Sequence, residues 1–120
     1  MKILRSFGYA WQGLKYAFAT QTNFRIHLLL AVVAILLGIC LHITAMECLF
    51  VSICIAMVLF AELINTAIEK LADVVHRDQH PQIKLVKDIS AGAVLVIAVI
   101  SAVTGLVIFL PKIISLIKTT

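Results

Sequence analysis

The sequence predicts an all-α membrane protein with one amphipathic surface helix and three transmembrane helices. Of its 120 residues, 62% are hydrophobic and 13% are charged, whereas a soluble domain averages about 45–50% apolar and about 25% charged residues. Three apolar stretches each have roughly the length of one bilayer crossing, about 20 residues. We therefore expect one integral membrane domain that covers residues 1–120.

The first segment, about residues 2–20, predicts a helix that lies along the membrane surface. Its apolar side chains, among them Phe7, Trp11 and Leu14, recur at helical spacing, and its basic side chains lie mostly elsewhere. A basic amphipathic helix with aromatic anchors suits a membrane interface. Packing on the rest of the protein is the alternative, and the two are compatible. The segment lacks a continuous apolar core, so we expect it to be retained rather than cleaved as a signal peptide.

Three apolar runs follow, and they predict membrane spans at about residues 26–46, 48–68 and 89–110. His42 and Glu47 should bracket a short connection between the first two spans. Pro81 should break the helix in the polar stretch before the third span, because proline cannot continue a helix. Pro111 and a short basic tail should end the chain.

Basic residues predict how the spans are oriented, because loops rich in lysine and arginine stay in the cytoplasm. The loop between the first two spans has no lysine or arginine. We therefore expect the N-terminus and the 69–88 loop to be cytoplasmic and the C-terminus to lie outside, although Lys112 and Lys118 mildly oppose the latter. Eight basic residues carry this inference: Lys2, Arg5, Lys15, Arg25, Lys70, Arg77, Lys84 and Lys87.

Acidic and amide side chains end the second span, in the stretch "AELINTAIEKLAD". If residues 48 to about 76 form one helix, then Glu62, Asn65, Glu69 and Asp73 share an arc of about 80°. An ionisable group inside a membrane usually faces the interior of a helix bundle and has a function, which makes Glu62 a candidate general base. Glu69 lies nearer the water and is a candidate Mg²⁺ ligand. A purely structural contact between helices, made by Asn65 and Glu62, is the alternative.

Further polar residues precede the third span. Lys87 could bind a phosphate and Asp88 a partner donor, or the two could be a snorkelling lysine and a helix-start aspartate. His76 and His80 have the spacing of a helical zinc pair but no third ligand accompanies them, so Asp78 and His80 could instead contact a nucleotide. No segment forms a sustained basic stripe, and we expect no nucleic-acid partner.

The stretches "ELINTAIEKLAD" and "HPQIKLVKDISAGAVL" resemble the bacterial integral-membrane diacylglycerol kinase and undecaprenol kinase family, and "GYAWQGLKYAF" and "NFRIHL" extend the resemblance over nearly the whole chain. The resemblance implies ATP-dependent phosphorylation of a membrane lipid alcohol in the bacterial cytoplasmic (inner) membrane. It also implies a homotrimer with sites shared between subunits, which agrees with the small size of three spans.

Carried over by motif position, the resemblance assigns a role to each candidate residue. Glu62 would be the catalytic base, Glu69 would bind Mg²⁺ together with the ATP phosphates, and Asn65 and Asp73 would support that site. Trp11 and Lys15 would lie beside the path of the lipid. The remaining residues would contact the nucleotide: Tyr9, Asp78, His80, Lys87, Asp88 and, less centrally, Lys2.

The chain departs from the family pattern at Gln21, where the family carries a glutamate that is a second metal ligand. A glutamine carbonyl can still bind a hard cation, but it brings no negative charge, so metal and ATP affinity should fall. The "HPQIK" loop is closer to the undecaprenol kinase branch. Undecaprenol is therefore the first expected acceptor and diacylglycerol the second.

Two other classes of protein compete with the kinase. A small proton-coupled transporter would also place Glu62 within a span, but it has no need for Glu69, Asp73, Lys87 and Asp88 at the cytoplasmic edge. A purely structural membrane subunit would leave Glu62 unexplained.

Overall fold

The computed structural model describes all 120 residues as four α-helices and contains no strand. The helices are α1 (Lys2–Thr20), α2 (Thr22–Cys40), α3 (Ala45–Val75) and α4 (Pro81–Thr119). Helices α2, α3 and α4 are each long and apolar enough to cross a membrane. The predicted all-helical class with three candidate spans is therefore confirmed.

Helix α1 has the predicted bounds, and Tyr16 and Ala17 near its C-terminal end contact or are buried against the rest of the chain. Ala17 is its one buried residue, and Gln21 follows in an extended conformation that separates α1 from α2. The Arg25 guanidinium donates to the carbonyl oxygens of Phe18 and Ala19 at 3.2 and 3.3 Å. A basic group there satisfies the unpaired carbonyls of a helix C-terminus. That α1 lies on a membrane surface stays a prediction.

Helix α2 ends at Cys40, so the prediction of a first span that runs to residue 46 is wrong at this end. His42 adopts a φ of 52°, its N–H donates to the Ile39 carbonyl, and the Ile43 N–H donates to the Gly38 carbonyl at 3.2 Å. This pair of bonds is a Schellman motif, which stops a helix. The Ile43 side chain folds back to within 3.0 Å of the position that a Cβ on Gly38 would occupy, so a larger residue at position 38 would displace the Ile43 side chain.

The predicted short connection between the first two spans is confirmed as residues 41–44, and α3 begins after it in a capping box. The Glu47 N–H donates to Thr44 Oγ1 at 3.1 Å, and the Thr44 N–H donates to Glu47 Oε1 at 3.0 Å. Its 31 residues correspond to about 46 Å, whereas the hydrocarbon core of a bilayer is about 30 Å thick. The single helix predicted over 48–76 is confirmed to Val75. We take 48–68 as its spanning part and 69–75 as an extension beyond the membrane.

The connection between α3 and α4 is short, and the predicted 69–88 loop is largely helical. Only residues 76–80 lie between the helices. Pro81 is the first residue of α4, and His80 Nδ1 accepts from the Gln82 N–H at 3.1 Å. Proline is well suited to this first position because its missing N–H would have no helical partner there. Lys87 and Asp88 consequently lie inside α4, so the alternative in which Asp88 is a helix-start aspartate is wrong.

Helix α4 continues through Pro111 to Thr119, so the basic tail is helical as well. Two contacts hold the chain in line after the proline. Ile113 packs against the cluster of Val51, Ile108 and Phe109, and Lys112 Nζ lies 3.1 Å from Glu47 Oε1. These contacts outweigh the tendency of proline to break a helix.

Helix α3 is the central element of the fold. Helices α2 and α4 both pack along it but touch each other only slightly, which leaves a groove between them. Only 12 of the 120 residues are buried, so most apolar side chains face outward. Such a surface fits lipid tails, which are as apolar as the side chains themselves.

Candidate active site

The four polar residues of α3 lie along one line that runs from a buried position to an exposed one. Glu62 is only 3% exposed, Asn65 and Glu69 are half-buried, and Asp73 is exposed. Neighbouring turns of one helical face carry all four. The predicted stripe therefore exists, and its burial decreases toward the end of α3 that projects beyond the membrane.

Glu62 faces His27 of α2, which the sequence analysis did not select. His27 Nε2 lies 3.4 Å from Glu62 Oε1, and the side chains are 20% and 4% exposed. No other basic side chain comes within 4.0 Å of this carboxylate. A histidine inside an apolar run is an ionisable group in a span, so the criterion that selected Glu62 would also have selected His27.

Asn65 and Glu69 offer oxygen donors of the kind that Mg²⁺ prefers. Asn65 Nδ2 donates to Glu69 Oε1 at 3.4 Å, while Asn65 Oδ1 is buried without a hydrogen-bond partner. The chain forms no cluster of three His, Cys, Asp or Glu ligands. Because Mg²⁺ is commonly held by one or two carboxylates and completed by substrate phosphates, this small oxygen set fits a magnesium–nucleotide site.

Gln21 forms no direct hydrogen bond with Glu69. It is half-buried at the junction of α1 and α2, and its Nε2 donates to Thr20 Oγ1 at 3.3 Å. The structure forms no hydrogen bond between Gln21 and the α3 residues. Its side-chain carbonyl oxygen can act as a metal ligand. Gln21 and Glu69 would share one metal ion only if a further group, such as a nucleotide, linked them.

Two ion pairs lie where α3 leaves the membrane and α4 begins. Lys87 Nζ lies 2.5 Å from Asp73 Oδ1, which ties α4 to α3. The hydrogen bond from Lys87 lowers the pKa of Asp73. Lys84 Nζ lies 2.6 Å from Asp88 Oδ2 within α4, a contact between successive turns of one helix. Asp73, Lys87 and Asp88 were predicted as site residues, whereas Lys84 was predicted only as a cytoplasmic basic residue.

A concave surface at the α3–α4 connection encloses about 520 Å³. It brings together three of the residues that were predicted to contact the nucleotide. Asp78, His80 and Lys87 all line it, whereas Asp88 does not. Arg77 and Lys84 line it as well. Lys84 and Lys87 are paired with Asp88 and Asp73, whose carboxylates lie outside the lining, so Arg77 is the cation of this surface that has no ion pair. A phosphate group could bind Arg77, or could replace a carboxylate as the partner of either lysine.

The candidates on α1 are not brought to this site within one chain. Tyr9 is 74% exposed and Trp11 is 62% exposed, and Lys15 is exposed too. The only side-chain contact from α1 to α3 that involves a charge is that of Lys70 Nζ, which lies 5.1 Å from the centroid of the Tyr16 ring.

An apolar groove of about 400 Å³ runs between α2 and α4 along α3. Its walls include small residues on two helices, such as Ala31, Ala34 and Gly105. His27 lines it together with one other ionisable side chain, Cys54, and no aspartate, glutamate, lysine or arginine is among the lining residues. His27 is also the residue that contacts Glu62.

Comparison with known proteins gives consistent matches over nearly the whole chain. The family model described as prokaryotic diacylglycerol kinase matches residues 8–109. An undecaprenol kinase of Bacillus subtilis is 37% identical over 92% of this chain and 90% of its own length. A diacylglycerol kinase of Synechocystis is 41% identical over 95% of this chain, which spans only 66% of that relative. A diacylglycerol kinase of Escherichia coli is 25% identical over 86% of this chain and 84% of its own length.

Proposed function

This chain belongs to the prokaryotic diacylglycerol kinase family and is a lipid kinase, and we propose that it phosphorylates undecaprenol with ATP at the α3 stripe. The proposal rests above all on one observation. A buried carboxylate, Glu62, and a half-buried one, Glu69, share a helix face with a separation of about 10 Å along the axis. The same helix can therefore place one carboxylate beside a lipid hydroxyl in the membrane and the other beside a nucleotide in water.

Glu62 would act as the general base. Its carboxylate would take the proton of the lipid hydroxyl, and the lipid oxygen would form a bond to the γ-phosphorus of ATP. The bond from that phosphorus to the oxygen of the ADP leaving group would break. Phosphoryl transfer depends on positioning and charge stabilisation more than on covalent help from the protein, and the burial of Glu62 excludes water that would otherwise compete as acceptor.

Glu69 would hold Mg²⁺ together with the ATP phosphates, and the free Oδ1 of Asn65 supports this assignment because it supplies a second oxygen beside the carboxylate. Gln21 would be a weaker ligand that brings no charge. Bound there, Mg²⁺ would neutralise the phosphate charge that builds up during transfer. Within the chain, Asn65 orients the Glu69 carboxylate through its amide N–H.

The concave surface at the α3–α4 connection would bind the nucleotide. Lys87 would exchange its Asp73 partner for a phosphate oxygen, since both are anionic acceptors of a lysine hydrogen bond. Asp78 and His80 lie on the same surface. Asp88 would contact the nucleotide only after release from Lys84, because its carboxylate is paired in the chain.

The residues on α1 would complete the site in a homotrimer. Tyr9, Trp11 and Lys15 make no side-chain hydrogen bond or ion pair within the chain and are exposed, which is compatible with contact to the nucleotide, the lipid and a neighbouring copy. In this arrangement α1 lies on the cytoplasmic face of the bacterial inner membrane, and the N-terminus and the 76–80 connection are cytoplasmic. The basic residues near both segments support this orientation.

Undecaprenol is proposed as acceptor because the Bacillus relative is named for it and matches almost end to end, and because the "HPQIK" loop resembles that branch. Diacylglycerol is the second candidate. The Synechocystis relative, named a diacylglycerol kinase, has the higher identity at 41%, but this chain spans a smaller share of it.

The test is a competition assay. Purified protein is incubated with Mg²⁺, γ-labelled ATP and equal amounts of undecaprenol and diacylglycerol, and the label in each lipid is counted. We expect most label in undecaprenyl phosphate. Label mainly in phosphatidic acid would reverse the acceptor assignment, and label in neither lipid would contradict the proposed function.

A further inference from the structure

His27 stands opposite Glu62 because each residue lies in the middle of a buried helix face. On α2, Phe24 and Ala31 are buried one turn before and one turn after His27. On α3, Val58 and Thr66 are buried one turn before and one turn after Glu62. Residues at i, i+3 and i+4 share a face, so these two faces pack together and the contact of His27 with Glu62 lies within their interface.

The Glu62 carboxylate has no other polar partner that could fix its orientation. The Thr66 hydroxyl, its nearest neighbour in the next turn, donates at 2.9 Å to the backbone carbonyl of Glu62 rather than to the side chain. No lysine or arginine comes within 4.0 Å of the carboxylate. The orientation of the Glu62 carboxylate therefore depends on its contact with His27.

His27 also borders the apolar groove, whereas Glu62 does not line it. The imidazole therefore stands between the carboxylate and the groove. Its Nε2 lies 3.4 Å from Oε1 of Glu62, an ion-pair distance, and Oε2 has no ion-pair partner from the chain. The two carboxylate oxygens therefore differ in their surroundings, since Oε1 faces the imidazole and Oε2 does not.

We propose that His27 is the positioning residue of this site: its Nε2 edge holds Oε1 of Glu62, so that Oε2 accepts the hydroxyl proton of the lipid alcohol. The inference rests on the proposed function of Glu62 as base. It differs from a purely structural contact between α2 and α3, which would affect folding but not the chemical step. Misplacement of a reacting group by about 1 Å can cost about 100-fold in rate.

The test compares three variants in the assay above, with the lipid that the unmodified protein labels. His27→Gln places an amide nitrogen near the position of Nε2, whereas His27→Asn places one near that of Nδ1 and leaves Nε2 unreplaced. His42→Asn is the matched control, since His42 lies in the α2–α3 turn and its φ of 52° suits asparagine. Each variant is also checked for its melting temperature and oligomeric state.

We expect His27→Asn to lower kcat about 10- to 100-fold with the KM values for ATP and lipid unchanged, and His27→Gln to recover most of the loss. His42→Asn should match the unmodified protein. In a Glu62→Gln background, His27→Asn should cause no further loss, because coupled residues are not additive. The inference would be overturned if His27→Gln and His27→Asn lowered kcat equally, or if neither lowered it.

A second measurement does not depend on activity. In protein with ¹⁵N-labelled histidine, Glu62→Gln should shift the ring-nitrogen resonances of His27 and leave those of His42 in place. An unchanged His27 resonance would overturn the contact itself. If no lipid is labelled yet His27 shifts, the proposed function fails while the contact stands, so the two failures are distinguishable.

Discussion

Lys87 Nζ on α4 lies 2.5 Å from Asp73 Oδ1 on α3, and this ion pair joins the two longest helices where they leave the membrane. The side chains are 37% and 54% exposed, so the pair is open to solvent and can be exchanged. An exposed pair contributes little to stability. Its position, between the α3 stripe and the concave surface proposed to bind the nucleotide, suits a lysine that is held in place until a phosphate arrives.

This ion pair predicts an acid-sensitive contribution to stability. The hydrogen bond from Lys87 lowers the pKa of Asp73 below its ordinary value of 3.8. The contribution is therefore fully present above about pH 4 and is lost as the pH falls through the lowered pKa of the folded state. We expect the melting temperature of the unmodified protein in detergent micelles to fall more steeply below about pH 4 than that of Asp73→Asn.

The matched control for Asp73 is Asp78→Asn, since the Asp78 carboxylate forms no ion pair in the chain. Its melting temperature should follow the pH profile of the unmodified protein. If Asp73→Asn also follows that profile, the pair makes no contribution and the expectation is wrong.

Gln21 predicts a measurable change in the requirement for magnesium. Gln21→Glu adds a negative charge at the proposed metal position, and carboxylates are stronger ligands of Mg²⁺ than neutral carbonyls. We expect the free Mg²⁺ concentration for half-maximal rate to fall about tenfold, at the lower end of the changes seen when metal sites are altered. The measurement is the rate of lipid phosphorylation as a function of free Mg²⁺ at saturating ATP.

Gln12→Glu provides the same change of charge at an exposed position of α1. It should leave the magnesium dependence as it is. Equal shifts in both variants would show a general effect of surface charge and would remove Gln21 from the metal site.

The capping box at the start of α3 predicts a loss of stability at the opposite end of the molecule. Thr44→Ala removes the oxygen that accepts from the Glu47 N–H, and loss of such a cap costs about 1 kcal/mol of unfolding free energy. The measurement is denaturation followed by circular dichroism in micelles. Thr119→Ala, at the last turn of α4, should have no effect, and equal stability of both variants would contradict this account of the cap.

Much of the fold could be predicted because the apolar runs have the length of a bilayer crossing. Helix α3 could be followed past the membrane edge because Glu62, Asn65, Glu69 and Asp73 keep one helical face. The predicted span ran past the end of α2 because Leu41 and Ile43 are apolar on either side of His42, and because the left-handed residue is a histidine rather than a glycine. The sequence "TAME" at residues 44–47 was the available signal, since a threonine followed three residues later by a glutamate is a capping box.

The other features that the sequence did not predict depend on tertiary contacts. Pro111 does not end α4 because Ile113 and Lys112 are held by α3, and no local pattern reveals that. The partner of Glu62 could not be read from periodicity alone, because it depends on how α2 packs against α3. Likewise Lys84 and Arg77 line the concave surface together only because the 76–80 connection is short.

The most direct test of the central claim is the rate of lipid phosphorylation by Glu62→Gln. The amide keeps the size of the side chain but cannot accept the hydroxyl proton as a carboxylate does. We expect kcat to fall about 100- to 10,000-fold, the usual contribution of a general base, while the melting temperature and ATP binding are retained. Glu47→Gln on the same helix, compared per folded molecule, should keep its rate. Substantial turnover by Glu62→Gln would show that Glu62 is not the base.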